Sequence, residues 1–91
     1  MTDIVKARND DLEVRAVEEE LVLLDLRSQT YLSLNRTGAA LWPLIVDGAA
    51  PAALAQTLCD RFGVEAAVAA RDVDALIGQL ADADLLEGTG A

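Results

Sequence analysis

Histidine is absent from the 91-residue sequence, so the commonest general base and metal-ligating side chain is missing. Cysteine occurs once, at Cys59, which excludes an internal disulfide framework and fits a reducing compartment. Aromatic residues make up 3% of the chain, leaving Trp42, Phe62 and Tyr31 as the bulky members of a core otherwise built from leucine, valine and alanine. No apolar run approaches the ~20 residues of a membrane span. The polar start (Thr2, Asp3, Lys6, Arg8) also lacks a signal-peptide core, so a soluble cytoplasmic protein is expected. Positive charge is scarce: seven basic residues face sixteen acidic ones, for a net charge of −9. Such a field disfavours nucleic acid and anionic lipid, and favours neutral or cationic partners.

What remains is 53% hydrophobic, enough for one domain spanning residues 1–91 with a modest core. The chain is organised around the stretch from Thr30 to Trp42, where hydrophobic period two gives way to a period near 3.6. Asn35 stands at the switch, and its side-chain oxygen is placed to cap the helix that follows. Before it, Leu12, Val14 and Ala16 alternate with Glu13, Arg15 and Val17. The Glu18-Glu19-Glu20 run reads as a solvated turn. Leu21 to Leu26 is apolar on both faces, as in a central strand with both faces partly covered. Arg27-Ser28-Gln29 connects it to a third strand, Thr30 to Leu34. Short links imply an antiparallel meander with the third strand at an edge.

Helices follow. The first is expected from about Arg36 to Asp47, stopped by Gly48, with a bend or break at Pro43. The second starts with Pro51, repeats Leu54, Leu58 and Phe62, and ends at Gly63. The third runs from about Ala66 to Asp82 or Asp84 with Val73, Leu76, Ile77 and Leu80 as its stripe, after which Leu85 and Leu86 fold back onto the core. Residues 1–11 show no period and, with 88–91, are expected to fray. The fold class is α+β, winged-helix-like: a three-stranded meander, then three helices.

Catalysis finds little support. Cys59 sits between Leu58 and Phe62, where a buried inert thiol is the better account, since only Arg61 is near enough to lower its pKa. The Asp72/Asp74 and Asp82/Asp84 pairs are two apart on a helix and point to different sides. They form neither a carboxylate dyad nor a calcium loop. The six glycines never cluster into a phosphate-binding loop. A non-enzyme without metal or cofactor is expected.

The second and third helices resemble a helix-turn-helix, so a winged-helix DNA-binding regulator is one alternative. Charge opposes it: from Glu65 onward six acidic residues face one basic, Arg71. A recognition helix gains affinity by displacing counterions from phosphates, and this one repels them. Peptide or protein binding is left. The edge strand Thr30, Tyr31, Leu32, Ser33, Leu34 exposes main-chain groups to which a partner can add a strand. Beside it the third helix is apolar over more than one face, through Ala69, Val73, Leu76, Ile77 and Leu80. Part of that band faces the core while another part lines a groove, or the whole of it is core. Tyr31 either anchors a binding surface or covers the sheet. The same edge also allows self-association.

The order Tyr31-Leu32-Ser33-Leu34-Asn35, then Thr37-Gly38-Ala39-Ala40-Leu41-Trp42, resembles the core of the PqqD-like family. The likeness continues through Leu54, Leu58, Phe62, Asp72-Val73 and Leu76 to Asp84-Leu85-Leu86. Members are small winged-helix-like precursor-peptide recognition elements, and this chain looks most like the stand-alone leader-binding protein of lasso-peptide pathways. The resemblance implies that a precursor leader adds antiparallel to Thr30–Leu34 and packs against Asp72, Val73, Leu76, Ile77 and Leu80. It also implies a separate leader peptidase and a macrolactam-forming cyclase as partners. The pyrroloquinoline-quinone branch, whose partner is a radical SAM enzyme, is the alternative within the family.

Overall fold

Alternating side chains come first in the chain, and the sheet is built from them. The structure, a computed structural model, describes residues 4–87. β1 (Leu12–Val17), β2 (Glu20–Asp25) and β3 (Thr30–Leu34) pair antiparallel in the order β1-β2-β3. The register places Leu23 opposite Val14 on one side and Leu32 on the other. Because side chains alternate, Leu21, Leu23 and Asp25 share a face with Leu34, Leu32 and Thr30. That face meets the helices and supplies Leu23 and Leu34 to the core. The opposite face carries Val22 and Leu24 opposite Ser33 and Tyr31. Val22 and Leu24 are half-buried yet outside the core cluster. Both faces of β2 are thus partly covered, as expected, while the core lies against one of them. β2 also stops at Asp25, leaving Leu26 in the turn and 52% exposed.

α1 (Arg36–Asp47), α2 (Pro51–Phe62) and α3 (Ala66–Asp82) complete the expected α+β order. Asn35 caps α1: its Oδ1 accepts from the Gly38 N–H at 3.0 Å. Pro43 does not break α1, which runs through it from Arg36 to Asp47. Buried Leu41, Trp42 and Ile45 hold the turns on both sides of it against the core, and its missing N–H costs one bond on an exposed face. Pro51 opens α2, and Gly63, left-handed at φ 67°, closes it by donating to the Cys59 carbonyl. α3 ends in a Schellman turn: Leu85 N–H donates to the Leu80 carbonyl and Asp84 N–H to that of Ala81. Leu80 and Leu85 are both buried, which supplies the hydrophobic contact that goes with this turn.

The N-terminal segment departs most from expectation. Residues 1–3 and 88–91 lie outside the described residues, but 5–8 are packed rather than frayed, while 9–11 are exposed. Val5 bridges Ala49 and Ala7 bridges Leu86. Val5, Ala7 and Arg8 are all buried. Each bridge is a single pairing to a distant part of the chain, so no local period announces it.

Candidate peptide-binding site

β3 pairs with β2 along one side and with no strand along the other among the described residues. β3 is paired along β2 and touches α1, and α3 packs on α2, but β3 and α3 have little backbone contact with each other. A groove lies between them. It deepens into two pockets, one at each end of the strand. The larger, about 310 Å³, is lined by Ser33, Leu34, Asn35, Thr37, Gly38 and Leu41 on one side, and by Leu58, Asp72, Ala75, Leu76 and Gln79 on the other. The smaller, about 60 Å³, is lined by Leu23, Asp25, Thr30, Tyr31 and Leu32 against Ala83 and Leu85. β3 and α3 run past each other in opposite directions, so Thr30 faces the end of α3 and Ser33 its middle.

Local sequence explains each wall. Gly38 lines the larger pocket, where a Cβ would make ordinary contact with the Leu34 Cβ at 3.4 Å and Leu76 Cδ1 at 3.6 Å. On α3 the lining positions 72, 75, 76, 79 and 83 recur at three- and four-residue steps, so they share one face. They are mostly small or polar, which lets a partner backbone come close. Tyr31 is 72% exposed at the smaller pocket's rim.

The expected site residues divide accordingly. Thr30, Tyr31, Leu32, Ser33, Leu34, Asp72 and Leu76 come together along the groove. Leu34 and Leu76 form floor rather than wall, being 2% and 7% exposed. Val73 and Leu80 are withdrawn into the core at 1% and 0% exposure, and Ile77 is half-buried against it. None of these three lines either pocket. The most apolar stripe of α3 is the one it buries, and the groove uses the stripe beside it. Ala75, Gln79 and Ala83, outside the expected set, belong to that second stripe, and their spacing from Asp72 places them on its side of the helix.

One electrostatic feature stands at the smaller pocket. Burial works to raise the Asp25 pKa, yet hydrogen bonds from Arg8, Ser28 and the Arg27 N–H, with the Arg8 charge, hold it below its ordinary 3.8. Among the described residues no buried side-chain polar atom lacks a partner, and no three His, Cys, Asp or Glu side chains are grouped to hold a metal. No helix there is long and apolar enough to cross a membrane.

With this geometry, known proteins can be compared. The family model of coenzyme PQQ synthesis protein D (PqqD) matches residues 20–86. Among solved structures, TbiB1 in complex with the TbiA(beta) leader peptide superposes with a TM-score of 0.79 at 30% identity, covering 91% of this chain and 95% of that one. A lasso peptide synthetase B1 complexed with the leader peptide gives 0.77 at 33% identity, covering 92% and 96%. No curated protein sequence matches. The matched residues include β2, which pairs with both other strands, the open edge of β3 and the whole of α3, and the chain belongs to the PqqD family.

Proposed function

We propose that this protein is a non-catalytic recognition element that binds the leader segment of a ribosomally made precursor peptide of the lasso type. The leader adds as a strand antiparallel to β3, and its side chains enter the groove against α3. The observation that carries this reading is the open β3 edge beside a helical wall with a pocket at each end. Its support from outside the chain is the family and two similar proteins whose structures contain leader peptide.

The energetics require both parts of the site. Each main-chain hydrogen bond nets roughly 1 kcal/mol, while ordering a disordered segment costs about 2–5 kcal/mol. Five strand residues alone therefore come close to breaking even, and the pockets supply affinity and selectivity. The net charge of −9 favours a neutral or cationic segment. Bound in this way in the cytoplasm, the leader is held for a separate leader peptidase, and the core peptide for a cyclase downstream.

The test is a titration of the labelled protein with a panel of lasso-precursor leader peptides, TbiA(beta) first, followed by amide NMR. Saturable shifts in β3 and along α3 are expected from at least one peptide. Silence from every member at high micromolar concentration would sink the reading.

A further inference from the structure

The N-terminal segment lies outside the matched residues 20–86, yet it holds the one ion pair among the described residues with both side chains buried. That pair joins the two sides of the groove. Arg8 Nη2 donates to Asp25 Oδ1 at 2.5 Å, at the end of β2. Its Nη1 donates to the Asp84 carbonyl at 2.8 Å, just past α3, and its backbone N–H donates to the Leu85 carbonyl at 2.8 Å. Asp25 and Leu85 lie on opposite sides of the smaller pocket. From Asp25 the chain of bonds continues into β3. Ser28 Oγ donates to Asp25 Oδ2 at 2.9 Å and lies 2.6 Å from the Thr30 hydroxyl.

Stability is a poor reason for such a pair. Two desolvated charges seldom outdo a well-packed apolar pair of similar volume, whereas a fixed geometry is something they supply well. The geometry here suits a guanidinium, whose planar fork presents several N–H donors in set directions; a lysine ammonium is a point charge on a flexible stem. The Asp84 end also needs holding. Asp84 is left-handed at φ 60°, at the position of a Schellman turn where glycine is usual.

We infer that Arg8 is a positioning residue of the groove. It sets the separation between the β2–β3 hairpin and the end of α3, and with it the width of the smaller pocket that receives a leader side chain. This deepens the leader-binding reading and rests on it.

The test is a double-mutant cycle between the protein and the tightest-binding peptide of the leader panel. An alanine scan of that peptide identifies the residue whose truncation removes the shifts at the Thr30 and Ala83 amides. In the wild type its truncation is expected to weaken binding about tenfold, and in Arg8→Lys less than about threefold, because the pocket is no longer held to fit it. A structural role alone lowers the melting temperature but leaves the truncation equally costly in both proteins, and that result overturns the clamp. If Arg8→Lys fails to fold, Ser28→Ala serves the same cycle from an exposed position by cutting the link between Asp25 and Thr30, with a smaller coupling expected. A wild type that binds no leader overturns the groove reading and this inference with it. Wild-type binding with uncoupled losses overturns this inference alone.

Discussion

β1 and β3 are the two edges of one small sheet, and both leave a row of main-chain groups unpaired. Every β1 residue after Leu12 is exposed, and its edge faces open solvent. Glu13 and Arg15 put opposite charges there, and charged side chains discourage a further strand from adding. β3 has no charged residue in its five positions, and it borders α3 across a groove with a pocket at each end. The difference teaches that an edge strand becomes a recognition site through what stands next to it. Main-chain groups are the same on both edges; the side-chain pockets are present on one.

Proline scanning along both strands is the harshest way to break the comparison. Where the replaced N–H points away from β2, the fold survives, since an edge strand tolerates proline at such positions. At such a position in β3, loss of a leader bond plus the ring's bulk is expected to weaken binding on the order of a hundredfold. In β1 no position should change affinity by more than about twofold, roughly 0.4 kcal/mol. Isothermal titration reads both, with circular dichroism to confirm folding.

Filling the groove tests the wall separately from the strand. Ala75→Arg is expected to lower leader affinity at least about tenfold by occupying the larger pocket, with little change in thermal stability, because arginine is a good helix former at an exposed position. Ala16→Arg makes the same change on the β1 edge and should leave affinity as it was. Equal losses at the two sites would remove the distinction between the edges.

The central strand that both edges share is fastened by a titratable group. The Asp25 carboxyl has its pKa depressed in the folded state, so it stabilises the fold fully above its ordinary 3.8. That contribution is lost as pH falls through the lower, folded-state value. Urea melts between pH 2 and 7 should show the loss in the wild type below about pH 4, and a weaker pH dependence there in Asp25→Asn. Breaking the exposed Glu13–Arg15 pair on β1, 4.0 Å apart, with Glu13→Gln should leave stability at neutral pH unchanged within about 0.5 kcal/mol.

The smallest expected effect lies in the hairpin turns. Glu18 before β2 and Gln29 before β3 are both left-handed, at φ 58° and 59°. Glycine at either relieves a left-handed cost of about 1 kcal/mol and adds unfolded-state entropy worth roughly 0.5–1 kcal/mol. Glu18→Gly and Gln29→Gly should thus each change stability by less than about 0.5 kcal/mol. A larger gain at Gln29 would mean that the β3 hairpin is held under more strain than the β1 hairpin.

Local chemistry made most of the fold legible. Asn35 capping, Pro51 at a first helical turn, and Gly48 and Gly63 just past helix ends mark α1 and α2 to the residue, because each signal acts within a few positions. The period change at Asn35 separates sheet from helices for the same reason. What escaped depends on contacts between distant residues. Val5 and Ala7 each make one bridge, to Ala49 and Leu86, and one bridge leaves no pattern. Arg8 and Asp25 are seventeen residues apart. The clue to that pair was an aspartate directly after the apolar run 21–24, whose carboxylate needs hydrogen-bonded partners once buried. On α3 the stronger apolar stripe, through Val73, Ile77 and Leu80, is the one the helix spends on its own core. Leu76 belongs to both stripes, being buried in the core and lining the larger pocket.

The most direct test of the account is the amide spectrum of the protein titrated with the lasso-precursor leader panel. Saturable shifts at residues 30–34 and at 72, 75, 76, 79 and 83, with 12–17 undisturbed, are the predicted result. Shifts gathered on β1, or on the open sheet face at Val22 and Leu24, would contradict it.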